Sequence, residues 1–281
     1  MTSLNTTLDQ PRSAPRWLIP ALLACYLVWG STYLAIRFAL LMAWMRWRGA
    51  AWPTLLEWRN AAVVGCLMLA AAMGWLASAQ QHIGSGLIAT FIATVPMVVC
   101  AFGLLAGKRP TRLELAGMLL GAVGVLLLVR GASFSASPVG IALICGSVIA
   151  WSLGSVLQTS RLPLALGPMG FASEMLCGGV VLMAISVMLG ERPAWPPQPM
   201  ALVAWAYLVV FGSLIAFSAY LYLLANASPA VATSYAFVNP VIALALGVAL
   251  GGEVVSSGEW LACGTVVAGV ALIFLSNNKK G

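Results

Sequence analysis

The strongest constraint in this 281-residue sequence is a succession of almost uncharged apolar runs. Each is close to the about 20 residues that an α-helix needs to cross a hydrocarbon core about 30 Å thick. They fall near 18–40, 60–80, 84–106, 113–130, 138–159, 168–189, 202–225, 229–250 and 259–276, separated by turn-forming or charged stretches such as Lys108-Arg109-Pro110-Thr111, Leu162-Pro163 and Gly251-Gly252-Glu253. Only 7% of the residues are charged and 62% are hydrophobic, against about 25% charged in soluble domains. No water-facing surface can be assembled from that supply, so the solvent is lipid. The expected fold class is all-α, a polytopic membrane helical bundle with nine full-length apolar spans. Residues 1–16 are polar, and the run that follows is too long for a signal peptide and lacks a clear small-residue cleavage site, so it is read as a first membrane helix.

Several function classes fall away at this level. All six cysteines (Cys25, Cys66, Cys100, Cys145, Cys177 and Cys263) sit inside apolar runs without C-x-x-C spacing, and they read as small buried hydrophobes. With His82 the only histidine, no metal site is expected, and no cofactor either. No G-x-S-x-G, H-E-x-x-H, Walker loop or close carboxylate pair occurs, so no enzyme is expected. The net charge of +7 is distributed at span ends rather than in a nucleic-acid-binding patch. The expected partners are the lipid bilayer and a small-molecule substrate, not nucleic acid. Monomer and homodimer stay open.

The chain repeats itself. GSGLIATFIATVP, ending at Pro96, runs beside SPAVATSYAFVNP, ending at Pro240, and eleven residues beyond each proline stands a glycine, Gly107 and Gly251. Glu114 precedes Gly124-Val125 at the interval by which Glu259 precedes Gly269-Val270, and Trp29 with Gly30-Ser31 resembles Trp151 followed by Ser152 and Gly154-Ser155. Duplicated halves are a common transporter plan. The boundaries are 1–16 for the N-terminal tail, 17–131 for a shortened first repeat, 138–276 for the second and 277–281 for the C-terminal tail. Trp29 to Pro96 is 67 residues whereas Trp151 to Pro240 is 89, a deficit of about one membrane helix. The missing piece falls where the second half carries 168–189, so residues 37–59 replace a second helix.

Basic residues mark cytoplasmic loops. On a ten-crossing template with the N-terminus inside, only Arg130 and Arg192 fall outside, while Arg12, Arg16, Arg46, Arg48, Arg59, Lys108, Arg109, Arg112, Arg161, Lys279 and Lys280 fall inside. Nine crossings fit the charges less well in either orientation. The charge pattern therefore follows ten helices although the apolar runs supply nine.

Two halves, each closing with a small-residue-rich helix pair joined by a short charged turn, resemble the drug/metabolite transporter superfamily and its EamA-type members. The residues that carry the likeness are WGSTYLAIRFAL (29–40), QQHIGSGLIATFIATVPMVV (80–99), GKRPTRLELAGMLLGAVGVLLL (107–128), SPAVATSYAFVNPVIALALG (228–247) and GEWLACGTVVAGVALI (258–273). The resemblance implies two inverted repeats of five helices, an inner-membrane location with a cytoplasmic N-terminus, and a secondary transporter, export being favoured over uptake. The expected cargo is a small neutral or zwitterionic metabolite such as an amino acid, moved by alternating access through a central cavity between the repeats. A non-transporting or defective membrane protein is the alternative, because one helix is absent.

Matched interruptions in two repeats point to a midplane binding site. Pro96 and Pro240 are expected to kink the middles of matched helices and free carbonyls toward a cavity. Around them, polar groups inside apolar runs require partners: Ser31, Thr32, Thr94, Ser155, Gln158 and Asn239. Trp29, Tyr33, Trp151, Tyr220 and Tyr235 are the aromatic candidates for the same cavity. Glu174 and His82 are the candidates for proton coupling. The competing reading pairs Glu174 with Arg161 or another basic group near the interface and leaves His82 in a solvated loop. No basic pocket is expected, which argues against phosphorylated cargo.

Overall fold

The structure is a computed structural model in which residues 42–43, 45–129, 137–190, 203, 206–251 and 256–277 are described. Three helices start from the same device, a Ser or Thr cap answered by a glutamate three residues on, which satisfies otherwise orphaned N–H groups reciprocally. Helix α1 (Leu55–Gly65) starts from Thr54 and Glu57, with Thr54 N donating to Glu57 Oε2 at 2.7 Å. It runs on through a π-wound segment (Cys66–Met73) into α2 (Gly74–Ala79). Helices α3 (Ser85–Ile92) and α4 (Val95–Leu105) follow. Helix α5 (Arg112–Leu128) starts from Thr111 and Glu114. Next come α6 (Pro138–Gln158) and α7 (Pro168–Met188), each opened by a proline in its first turn, where the missing N–H costs nothing. A second π-wound segment (Leu208–Phe217) leads into α8 (Ser218–Asn226). Helices α9 (Pro229–Thr233) and α10 (Tyr235–Gly251) precede α11 (Ser257–Asn277), which starts from Ser256 and Glu259.

Five helical segments among the described residues are long and apolar enough to cross a membrane: Leu55–Ala79, Gly86–Leu105, Pro138–Gln158, Pro168–Met188 and Ser257–Ser276. Helices α5 and α10, 17 residues each, are about 25 Å long at about 1.5 Å per residue. The expected first span lies outside the described residues. Of residues 37–59, expected to replace a second helix, 42–43, 45–47 and 55–59 are helical among the described residues, and the stretch at 45–47 stops at a turn. Gly49 adopts φ +92°, a conformation that glycine takes at no steric cost, while Ala50 N donates back to Met45 O at 3.0 Å. No residue from Arg48 to Thr54 is helical.

Glycines set the closest helix contacts, as expected where lipid offers no hydrophobic drive and backbone approach supplies the packing. A Cβ on Gly117 would stand 2.6 Å from Gly269 O, and one on Gly124 would stand 2.8 Å from Val266 N and 3.1 Å from Ala262 O. Rising numbers on α5 thus meet falling numbers on α11, so the two run antiparallel. Across the other half of the bundle, Gly154 faces Met68, Gly146 faces Trp75, and Ser147 Oγ donates to Ala72 O at 2.7 Å, which makes α6 antiparallel to the Leu55–Ala79 span. Gly65 and Gly178 bring that span against α7 in parallel.

The two proline-bearing segments differ from expectation. Pro240 lies inside α10, where it removes a backbone donor. Pro96 does not kink the middle of a continuous helix. The chain breaks at Ala93 and Thr94, and Pro96 occupies the first turn of α4, where no intrahelical partner is lost. The two segments nevertheless meet, since Ala93 and Cys100 share one buried cluster with Ala230, Val231 and Phe237.

Candidate functional site

Helix α6 presents Trp151, Ser155 and Gln158 on one side at spacings of four and three residues, the helical repeat that stacks side chains on a face. Trp151 and Ser155 are buried. Ser155 Oγ donates to Trp151 O at 2.7 Å and lies 2.7 Å from Tyr220 Oη. A serine hydroxyl has one proton, so the Tyr220 hydroxyl is the donor in the second bond. Tyr220 also stacks on Trp151, with centroids 5.2 Å apart, and meets Tyr235 edge-on at 5.5 Å. Phe217, the last residue of the second π-wound segment, packs edge-on against Trp151 at 5.8 Å and against Phe171 of α7 at 5.7 Å. Five elements therefore contribute rings to one aromatic cluster, at separations within the favourable range.

Outside this cluster lies a cavity of about 540 Å³ whose lining includes Gln158, Thr159, Pro163, Phe171, Tyr222 and Asn226. Its wall is braced by two long-range bonds. Asn60 Nδ2 donates to Pro163 O at 2.9 Å, and Lys108 Nζ donates to Thr159 Oγ1 at 3.1 Å. A second cavity of about 330 Å³ adjoins it at Asn226 and is lined by Lys108, Arg109 and Glu114. The expectation of no basic pocket is thus corrected: the turn at Gly107, with φ +78° and Lys108 N donating to Gly103 O at 2.8 Å, folds two cations onto a cavity wall.

Glu174 is fully buried one turn beyond Phe171 on α7. Neither of its carboxylate oxygens has a hydrogen-bond partner among the described residues, so the interfacial pairing with Arg161 is corrected; Arg161 is exposed. Ser152 Oγ and Gln158 Nε2 are likewise buried without partners among the described residues. A bilayer offers no water to satisfy such groups, and each costs several kcal/mol if left alone.

The sequence-derived candidates divide accordingly. Trp151, Ser155, Tyr220 and Tyr235 come together, with Gln158 at the adjoining cavity. Thr94 donates to Phe91 O at 2.6 Å, in the last turn of α3. Asn239 is exposed on α10 and Pro240 is half-buried beside it. His82 is exposed in the turn after α2. Trp29, Ser31, Thr32 and Tyr33 lie outside the described residues. Phe171, Phe217, Asn60 and Lys108 were not anticipated. The two phenylalanines carry no polar atom to mark them within an apolar run, and the roles of Asn60 and Lys108 depend on partners 103 and 51 residues away.

An all-helical bundle of apolar spans around a polar-spotted aromatic centre is the architecture of a polytopic membrane protein. The EamA-like transporter family model matches residues 26–130 and 138–275, and the chain belongs to that family, within the drug/metabolite transporter superfamily. It is 42% identical to the inner membrane transporter YedA of Escherichia coli K12, covering 92% of each chain. It is 29% identical to a transporter of Synechocystis, over 81% of this chain and 72% of the other. Protein PecM of Dickeya dadantii is 24% identical over 66% of this chain and 63% of its own. A solved crystal structure shares the fold with a TM-score of 0.70 at 21% identity, covering 93% of this chain and 89% of the other.

Proposed function

We propose that the protein is a secondary transporter of the inner membrane that exports small neutral or zwitterionic metabolites, such as amino acids, by alternating access between two inverted repeats. The observation that carries this reading is the reciprocal contact between the matched helices α5 and α11. Offset by 145 residues, Gly117 corresponds to Ala262 and Gly124 to Gly269; Gly117 meets Gly269, and Gly124 meets Ala262. Contacts that map onto themselves when the partners are exchanged are what a two-fold relation produces, and an antiparallel pair places that axis in the membrane plane. The cavity of about 330 Å³ lined from both halves, and the aromatic and polar cluster within the second half, supply places for a solute, with Asn239 and Pro240 on the second proline-bearing helix. Glu174 is the candidate for proton coupling inside the bundle and His82 the candidate at its edge.

Counterflow in proteoliposomes tests the proposal. Saturable exchange for members of a panel of neutral and zwitterionic metabolites is the expected result. Absence of saturable flux across the panel favours the alternative, a non-transporting partner in which the shortened segment before Leu55 has cost the first half a crossing. Reporter fusions at residues 37–60 and at the N-terminus test the ten-helix template and its cytoplasmic N-terminus.

A further inference from the structure

We propose that the turn at 107–111 and the end of α8 form a zwitterion site, in which Lys108 and Arg109 take the carboxylate of the solute and the Asn226 amide oxygen takes its ammonium group. The inference rests on the transporter reading and narrows its cargo from neutral or zwitterionic metabolites to zwitterionic ones. Both ends of such a solute meet the cavity of about 330 Å³, since Lys108, Arg109 and Glu114 line it from the first half of the chain and Asn226 and Ser228 from the second. Its volume falls within the range of about 300–1,000 Å³ usual for ligand pockets. Basic residues at a turn between membrane helices also fix topology, but that role needs only a place at the interface. Here Gly107, at φ +78°, reverses the chain and Lys108 N donates to Gly103 O at 2.8 Å, so both cations border the cavity.

Hydrogen-bonding capacity on this wall is open. A lysine ammonium has several protons to donate and an arginine guanidinium more still. Lys108 donates to a neutral hydroxyl, Thr159 Oγ1, at 3.1 Å. Among the described residues neither cation forms an ion pair, and Arg109 forms no hydrogen bond. A carboxylate is a stronger acceptor than a hydroxyl, and the planar guanidinium fork matches its two oxygens. Glu114 Oε2 accepts from Thr111 N at 2.7 Å, closing the cap of α5. Its charge on the same wall partly offsets the two cations, which suits a monovalent carboxylate better than a doubly charged phosphate ester. From the second half, Asn226 Nδ2 donates to Tyr222 O at 2.8 Å, so the amide oxygen is the group left to accept from a solute. Asn226 also closes the carbonyl end of α8, where the helix dipole favours a cation. Donors for an anion and acceptors for a cation on one cavity discriminate against a solute that lacks either charge.

Calorimetry on the detergent-purified full chain at neutral pH compares serine, leucine and phenylalanine with the carboxamide of each and with the acid that lacks its amino group. The tightest-bound amino acid is expected to exceed both of its analogues by at least about tenfold, because each analogue leaves a charge-assisted partner unused. Lys108→Gln keeps a donor for Thr159 but removes the charge, and is expected to bring amino acid and carboxamide within about threefold, while Lys108→Arg keeps the preference. Arg109 is exposed, so Arg109→Gln is expected to lower the preference by only about threefold. Equal binding of amino acid and carboxamide by the wild-type chain overturns the proposal, as does absence of saturable binding for all three amino acids. So does an unchanged preference in Lys108→Gln. A thermal midpoint that phosphatidylglycerol raises in the wild type but not in Lys108→Gln, without any amino-acid preference, also overturns it and assigns the cations to a lipid headgroup. If Lys108→Gln does not fold, Arg109→Gln and Lys108→Arg decide. Saturable counterflow of neutral solutes with no preference for zwitterions overturns this inference alone, whereas amino-acid preference in binding without flux for any solute overturns only the transporter reading.

Discussion

Gly117 and Gly269 lie backbone against backbone: a Cβ on the first would stand 2.6 Å from the carbonyl oxygen of the second, and one on the second 2.7 Å from the carbonyl oxygen of the first. This crossing joins the two halves of the chain, and neither residue can carry a side chain without separating α5 from α11.

Gly117→Ala and Gly269→Ala are each expected to destabilise the protein by about 1–3 kcal/mol, the usual cost of overpacking a close contact. Gly264, whose Cβ would meet nothing within 4 Å, is the control on the same helix. Thermal unfolding in detergent checks the difference, and equal midpoints for Gly117→Ala and Gly264→Ala would refute the close crossing.

Tyr220→Phe keeps the ring stack on Trp151 and deletes the hydroxyl that donates to Ser155. A loss of about 1 kcal/mol is expected. A double-mutant cycle with Ser155→Ala measures the coupling, and strict additivity would mean that the two hydroxyls do not interact.

Asn60→Ala removes the bond to Pro163 O that holds the α6–α7 connection against α1. Asn60 is buried, so the substitution leaves an unsatisfied carbonyl, and a loss of about 1–3 kcal/mol is expected. Pro163 lines the larger cavity, so counterflow KM is expected to rise with it. Asn60→Asp, which keeps the shape but turns the donor into an acceptor, is expected to behave like Asn60→Ala.

Asn239→Ala is expected to lower counterflow without lowering yield, as a substrate-contact role on α10 requires. Its exposed position makes the stability effect small, within about 0.5 kcal/mol. Unchanged kinetics would remove Asn239 from the site and leave the aromatic cluster as its centre.

Helix positions were legible because lipid dictates them. The run read as 168–189 is Pro168–Met188, and the run read as 138–159 is Pro138–Gln158. Capping residues stood in plain view too: Glu114 and Glu259, matched across the repeat, both close capping boxes. Pro96 was misplaced because a proline looks the same from sequence whether it kinks a helix or opens one. The difference lies in the break at Ala93 and Thr94, which apolar periodicity does not mark. Glu174 was legible as an unusual charge, but not its burial, because Arg161 stands close enough in sequence to suggest a pair that the fold does not form.

Composition and run length by themselves determined that this chain lives in lipid and that its spans approach membrane length, since both follow from local residue content against a solvent of fixed thickness, while matched motifs such as those ending at Pro96 and Pro240 marked the repeat. Tertiary structure alone decided that Trp151, Tyr220, Tyr235, Phe171 and Phe217 form one cluster and that Glu174 is fully buried with no hydrogen-bond partner among the described residues. Those relations join residues from separate helices, and in a chain so uniformly apolar no local pattern distinguishes the helix face that meets a neighbour from the face that meets lipid.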